Sequence, residues 1–362
     1  MSEFFRNLIE DIKDEDTSII ADGEGSSEYS GTIDTGSYML NAALSGSIYG
    51  GVPNNKVTAF AGESATGKTF FVLGVIQKYL KNNPDAGVVY YDTEAAVTKD
   101  MMEQRGIDTT RVILAEPETI QGFRTHALRM IDAYTKNPED RRPPMMFVLD
   151  SLGLLSTTKE MEDTADGKET RDMTKAQVIK ATFRVLTLKL AKAQIPMLVT
   201  NHVYDVVGSY IPMKEIGGGS GLKYAASTIV MLGKKKDREG TELVGNIIKA
   251  KMFKSRLSKE GKEVEVKLSF EHGLDRYYGL LDLAERYGLV KKVSTRIEMP
   301  DGTKVFAKAV YKDPEKYFTN EFLNKLDEAA KNEYMYGINE DEESIPDSDA
   351  AREDESSDTA DT

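Results

Sequence analysis

The chain has 362 residues, 40% of them hydrophobic, with a formal charge of −13, three histidines and no cysteine. That apolar content suffices for one large α/β domain plus a small accessory domain. The composition excludes a disulfide framework, a thiolate zinc site and a cysteine nucleophile, and leaves His126, His202 and His272 as the available imidazole ligands. No run approaches the roughly 20 apolar residues that cross a bilayer, and the acidic start MSEFFRNLIEDIKDED has no signal-peptide character, so a cytosolic protein is expected.

The negative charge is concentrated at the ends. Residues 1 to 30 hold nine acids against Arg6 and Lys13, and residues 340 to 362 hold eleven acids against Arg352, which leaves about +4 for residues 31 to 339. A mildly basic body is compatible with a polyanionic partner.

The first 35 residues read as an N-terminal segment and linker. Phe4, Phe5, Leu8, Ile9 and Ile12 form one short amphipathic helical pattern, suited to docking on a neighbouring subunit or on its own domain, and ADGEGSSEYSG follows as a linker. From about residue 35 to 235, short apolar runs alternate with helical segments, as expected of βαβ units in a mostly parallel, doubly wound sheet. The predicted strands are 56 to 61, 87 to 92, 111 to 116, 145 to 150, 196 to 201 and 227 to 233, with a long helix at about 174 to 193. Residues 243 to 270 alternate apolar and polar and predict antiparallel strands capping the sheet edge. The segment from Leu274 to about Gly337 reads as a small helical lobe, and the acidic residues after Asn339 as a disordered tail. The expected division is therefore 1–35, a core over 36–275, a lobe over 276–339 and a tail over 340–362.

The first chemistry-bearing motif follows the first of these strands. In GESATGKT (Gly62, Glu63, Ser64, Ala65, Thr66, Gly67, Lys68, Thr69) the glycines let backbone N–H groups turn toward a β-phosphate. Lys68 reaches the β and γ oxygens, and the Thr69 hydroxyl can ligate Mg²⁺. The motif follows a strand and opens the helix FFVLGVIQKYL, so ATP and Mg²⁺ are the expected ligands. Asp150 closes the strand MMFVLD, where a carboxylate orients the Mg²⁺ and its waters. Hydrolysis also needs a group that positions or deprotonates water. Glu94, just past the strand GVVYYD, is the best placed carboxylate and Asp92 the alternative, although spacing alone favours a loop carboxylate that caps the next helix. Asn201 and His202 end the fifth strand at the head of a glycine-dense loop, and a second polar loop follows Ser151. His202 at a strand end suits a γ-phosphate sensor or an ordinary hydrogen-bonded histidine. The basic stretch Lys249, Lys251, Lys254, Arg256, Lys259, Lys262 and Lys267 reads from composition as a solvated edge strand.

Taken jointly these motifs resemble the RecA family of recombinases, most closely its members from T-even-like bacteriophages. The resemblance spans about Gly36 to Gly288 and rests on NAALSGSIYGG (41–51), YDTEAAVT (91–98), VLDSLG (148–153), DMTKAQ with FRVLT (172–187), NHVY (201–204), GGGSG (217–221), KSR (254–256) and YYGLLDLAERYGLV (277–290). It implies a RecA-like P-loop NTPase core with a short N-terminal segment and a small C-terminal lobe. It implies further that Glu94 is the catalytic carboxylate, that His202 senses the γ-phosphate, and that Lys254 and Arg256 reach the ATP of the adjacent protomer. The stretches near 156–173 and 203–218 become DNA-binding loops, carrying Lys159, Lys168, Arg171, Tyr204, Tyr210, Lys214, Gly217, Gly218 and Gly219. Thr98 and Met101 fall where relatives contact adenine, and Met101 replaces an aromatic residue common there. The implied activity is DNA-dependent ATP hydrolysis by a helical filament on single-stranded DNA that pairs with homologous duplex and exchanges strands. A mediator and a single-strand-binding protein are the implied partners. A hexameric helicase motor and a protein-binding ATPase scaffold are the alternative readings of the same core.

Overall fold

The computed structural model describes residues 3–12, 17, 31–168, 173–205, 214–239, 241–269 and 273–337. Helix α1 (Glu3–Ile12) forms over the amphipathic pattern, with Phe4, Leu8 and Ile12 exposed. Strands β1 (Thr32–Ile33) and β2 (Val52–Pro53) pair antiparallel around helix α2 (Tyr38–Ser45), which Ser37 caps by accepting from the Leu40 N–H. The core then runs through β3 (Val57–Gly62), α3 (Lys68–Asn82), β4 (Gly87–Asp92), α4 (Lys99–Glu103), β5 (Val112–Ala115), α5 (Ile120–Thr135), β6 (Met145–Asp150), α6 (Thr158–Ala165), α7 (Lys175–Lys192) and β7 (Met197–Asp205). It continues with β8 (Lys214–Ile216), α8 (Ser220–Ala225), β9 (Thr228–Glu239), β10 (Glu242–Ser255), β11 (Glu263–Ser269) and β12 (Gly273–Leu274).

The main sheet has the order β12-β11-β10-β9-β3-β7-β6-β4-β5, with β8 paired to β7. Its five-strand centre is parallel where each strand returns through a helix, and β9 also runs parallel to β3, while β10, β11 and β12 add by antiparallel pairing. The parallel strands are near-continuous apolar runs because both faces are covered. One face packs Phe60, Val88, Tyr90, Val148 and Leu198 against α2 and α3, and the other packs Val89, Tyr91, Phe147, Leu149 and Val199 against α5 and α7.

The remaining elements are α9 (Leu280–Arg286), β13 (Lys291–Val293), β14 (Arg296–Glu298), β15 (Lys304–Val305), α10 (Ala307–Lys312), α11 (Pro314–Tyr317) and α12 (Asn320–Tyr334). The expected helical lobe is thus corrected: it carries a three-stranded antiparallel sheet, made from strands of two or three residues too short for a period-2 signal. Leu280, Leu283, Phe322, Leu326 and Tyr334 belong to the same apolar cluster as α2 and α3. Asp327 reaches α2's turn, accepting from the Ile48 N–H at 2.9 Å.

Two stretches expected to be loops contain regular structure. The stretch after β6 holds α6, started by a capping box in which Thr157 accepts from the Glu160 N–H and Glu160 from the Thr157 N–H. The stretch after Asn201 is partly strand, because β7 runs on to Asp205 and β8 pairs back against it. The basic run is not a solvated edge: β10 lies between β9 and β11, and Lys249, Lys262 and Lys267 pair with Glu263, Glu333 and Asp237.

Candidate nucleotide site and its flanking loops

Strand register collects the candidate residues on one edge. Gly62 stands opposite His202 across β3 and β7, and Asp92 stands opposite Asp150 across β4 and β6. The P-loop, Asp150, Glu94 and His202 therefore share the carboxyl end of the parallel sheet, where ligands of such folds bind.

The P-loop leads into the 15-residue helix α3, whose first turn presents unsatisfied N–H groups and a partial positive charge to an anion. Glu63, Ser64 and Ala65 are exposed, Thr66 is buried, and Ala65 holds a left-handed φ of 57°. Lys68 is buried and donates to the carbonyls of Gly62 (3.1 Å) and Glu63 (2.9 Å). Burial pulls its ammonium below the ordinary lysine pKa, against the opposing pull of Glu94 and Asp150. Two lysines that sequence reasoning did not assign here to the P-loop grip its outer rim. Lys214 of β8 pairs with Glu63, and Lys234 of β9 donates to the Ala65 carbonyl at 2.8 Å.

Asp150 is buried and accepts from three hydroxyls: Thr69 at 2.8 Å, Tyr90 at 2.7 Å, and Thr200. Tyr90 and Thr200 were missed because the sequence gives each strand's alternation but not which strands are neighbours. Burial, and then Asp150, push the Tyr90 hydroxyl far above its ordinary pKa, so it is a permanent donor. The carboxylate and the Thr69 hydroxyl are hard oxygen donors facing a phosphate-binding helix end, a set that fits Mg²⁺ held with triphosphate oxygens and water. Among the described residues no cluster of three or more His, Asp or Glu forms a metal cage.

The turn after β4 is fixed by its own side chains. Thr93 ties it to Ser151, donating to that carbonyl at 2.7 Å and accepting from its N–H at 2.8 Å. Asp92 accepts from the N–H groups of Glu94 (2.9 Å) and Val97 (3.3 Å), so it shapes the turn and Glu94 is the carboxylate left facing the site. Glu94 Oε1 lies 3.1 Å from His202 Nε2. Thr98 caps α4 by accepting from the Met101 N–H, and Met101 packs against the core.

His202 is tied in turn to the second loop. The Asn201 side chain donates to the Gly217 carbonyl at 2.7 Å and accepts from the His202 N–H at 2.9 Å, while the Gly217 N–H donates to the His202 carbonyl at 2.9 Å. Tyr204, Gly217, Gly218 and Gly219 face Gly153, Glu160 and Lys175 across a cavity of about 490 Å³, so the two flanking stretches adjoin. Lys159 is exposed on α6, and Lys168 pairs with Asp163 and Asp166. Arg171 and Tyr210 lie outside the described residues.

Lys254 and Arg256 are not brought to this site. Lys254 stands opposite Ile229, itself opposite Ala59, so it is three residues along β3 and two strands across from Gly62, on the order of 10 Å in each direction. Its ammonium donates to the carbonyls of Lys223 (2.6 Å) and Ala226 (2.7 Å), and burial, then Arg256, lower its pKa. Arg256 is exposed beside it. Register and these carbonyl bonds keep Lys254 apart from the P-loop of its own chain.

The model of the RecA N-terminal domain matches residues 7–275. The chain is 33% identical over 254 residues to the "Recombination and repair protein" of Enterobacteria phage T4, covering 70% of this chain and 63% of that relative's length. It is 29% identical over 266 residues to "Protein RecA" of Chlorobaculum tepidum, covering 72% of this chain and 71% of that one. It is 26% identical over 276 residues to "Protein RecA" of Streptomyces rimosus, covering 75% and 68%. The P-loop, the buried Asp150 and the Glu94–His202 pair lie on the matched span, and the chain belongs to the RecA family.

Proposed function

We propose that this chain is a DNA-dependent ATPase and recombinase that assembles on single-stranded DNA as an ATP-bound helical filament, pairs it with homologous duplex and exchanges strands. The observation that carries the reading is the contact between Glu94 and His202. It joins a carboxylate at the hydrolytic position to the strand that leads, through Asn201 and Gly217, into the second loop. A change at the γ-phosphate is thereby transmitted to a surface that holds DNA, and DNA bound there acts back on the site by the same coupling.

In this mechanism the N–H groups of the P-loop and the Lys68 ammonium bind the β- and γ-phosphates of ATP. Thr69 and Asp150 hold Mg²⁺, which supplies charge neutralisation on the transferring phosphoryl group. Glu94 orients the attacking water and accepts its proton, and His202 holds the Glu94 carboxylate in place. Thr98 and Met101 stand at the expected adenine end. Lys254 and Arg256, remote from their own P-loop, complete the site of an adjoining protomer, so that hydrolysis depends on assembly. Lys159, Lys168, Arg171, Lys214, Tyr204, Tyr210 and the Gly217–Gly219 turn contact DNA, mostly through its phosphates, which makes binding salt-sensitive and indifferent to sequence. A loading mediator and a single-strand-binding protein are its partners in the cytoplasm of a bacterial host. The test is strand exchange between circular single-stranded DNA and homologous linear duplex: ATP-dependent joint molecules support the reading, and unwinding of forked duplex by closed rings contradicts it.

A further inference from the structure

The turn between β10 and β11, residues 256–262, carries the exposed Arg256 and is bonded to the end of the C-terminal lobe. Helix α12 leaves its last carbonyls without helical partners, and the turn supplies them. The Lys259 N–H donates to the Tyr334 carbonyl at 2.7 Å, and Lys259 Nζ donates to the Asn332 carbonyl at 2.9 Å. Lys262 pairs with Glu333 at 2.6 Å. These cations also meet the negative end of the helix dipole.

The helix end is itself seated on the core. Met335 lies against Gly46, the left-handed C-cap of α2 with a φ of 83°, where an added Cβ would stand 2.1 Å from Met335 Cγ. The next residue, Tyr336, donates its hydroxyl to the Ser255 carbonyl at 3.0 Å. The other side of that same peptide unit is held by the core, because the Arg256 N–H donates to the Ser227 carbonyl at 3.1 Å. A peptide unit is planar, so fixing its carbonyl and its N–H fixes the plane from which the Arg256 side chain departs. Tyr336 is 50% exposed, so its ring carries little of the core and its hydroxyl makes the specific contact.

We infer that Tyr336 is a positioning residue for the reaction of the adjoining protomer. Through the Ser255 carbonyl it aims Arg256 at the ATP bound by the next chain, and the C-terminal lobe thereby becomes part of that half of the site. This rests on the reading above of Arg256 as a cation that completes a neighbour's site. A cation acts on developing charge only when it is held ready in place, and a small tilt of the peptide is magnified at the end of a long arginine side chain. Tyr336 lies beyond residues 7–275, on the lobe that the match to the RecA N-terminal domain does not cover.

The test is steady-state ATP turnover with single-stranded DNA, on full-chain variants singly and in equal mixtures. Y336F keeps the ring and removes one bond, so kcat should fall about threefold to tenfold while KM for ATP stays within about twofold. Mixed with E94Q, Y336F should turn over faster than the mean of the two components, because some interfaces then join an intact Glu94 to an intact Arg256 face. Mixed with R256A it should match that mean, because both defects lie on the same face. A general loss of stability would not distinguish the two mixtures. A wild-type kcat in Y336F, or the same outcome in both mixtures, overturns the proposal. An E94Q and R256A mixture that regains nothing overturns the reading of Arg256 itself, and the proposal with it.

Discussion

Glu94 and His202 meet at 3.1 Å, although 108 residues separate them, because β4 and β7 lie on either side of β6 with their carboxyl ends aligned. Asp92 is withdrawn into the turn, so the pair is a carboxylate with one oriented imidazole beside it. Removing the carboxylate's charge with E94Q should lower kcat by roughly 10²- to 10⁴-fold and leave nucleotide affinity within a few-fold. H202A should lower kcat less, and H202Q, which keeps a donor, should recover part of it. Steady-state kinetics on the three variants separate these outcomes, and a KM effect without a kcat effect in E94Q would contradict the assignment.

Tyr90 gives Asp150 a third hydroxyl donor from within the core. Y90F leaves Thr69 and Thr200 in place and removes one buried bond, so denaturant unfolding should show a loss of about 1 kcal/mol. The Mg²⁺ concentration for half-maximal turnover should shift as well, because the carboxylate loses one of the bonds that fix its orientation.

The Asp34–Arg276 pair sets an acid limit on stability. Burial alone would raise the Asp34 carboxyl, but hydrogen bonds from Asn41, the Gly36 N–H and Arg276 outweigh it and hold the pKa below the usual aspartate value. A carboxyl depressed in the folded state contributes stability that is present above the unfolded value of about 3.9 and is lost as pH falls below it through the folded value. D34N should therefore cost roughly 1.5–3 kcal/mol at neutral pH and flatten the fall in stability below about pH 4, measured by denaturant titration at several pH values.

Lys254 lies too far from its own P-loop to act there. If it completes a neighbour's site across a heterologous interface, E94Q and K254A should each lose turnover alone, and an equal mixture should regain part of it. In the mixture some interfaces combine an intact Glu94 from one chain with an intact Lys254 from the next. A mixture no more active than its components would confine the active site to one chain.

Much of this site was legible because its chemistry is local. GESATGKT needs only a strand before it and a helix after it, and both are present. Asp150 was readable as a polar residue closing an apolar strand, whereas Glu94, two residues past the end of β4, was singled out by the family resemblance rather than by spacing. What joins them was not readable: Tyr90, Thr200 and the grip of Lys214 and Lys234 on the P-loop all depend on which strands are neighbours. Helix α6 escaped because its eight residues are largely polar, so no apolar period marks it, and its signal was the Thr157/Glu160 capping box. The β13–β15 sheet escaped because its strands are held by packing on the α9 and α12 side of the core rather than by propensity.

The most direct measurement is ATP turnover by the wild-type chain with and without single-stranded DNA, beside E94Q. Turnover should rise with single-stranded DNA, fall with added salt as phosphate contacts are lost, and drop by at least about 100-fold in E94Q. Turnover that is indifferent to DNA, or that stays near the wild-type rate in E94Q, would contradict the assignment of a DNA-dependent ATPase.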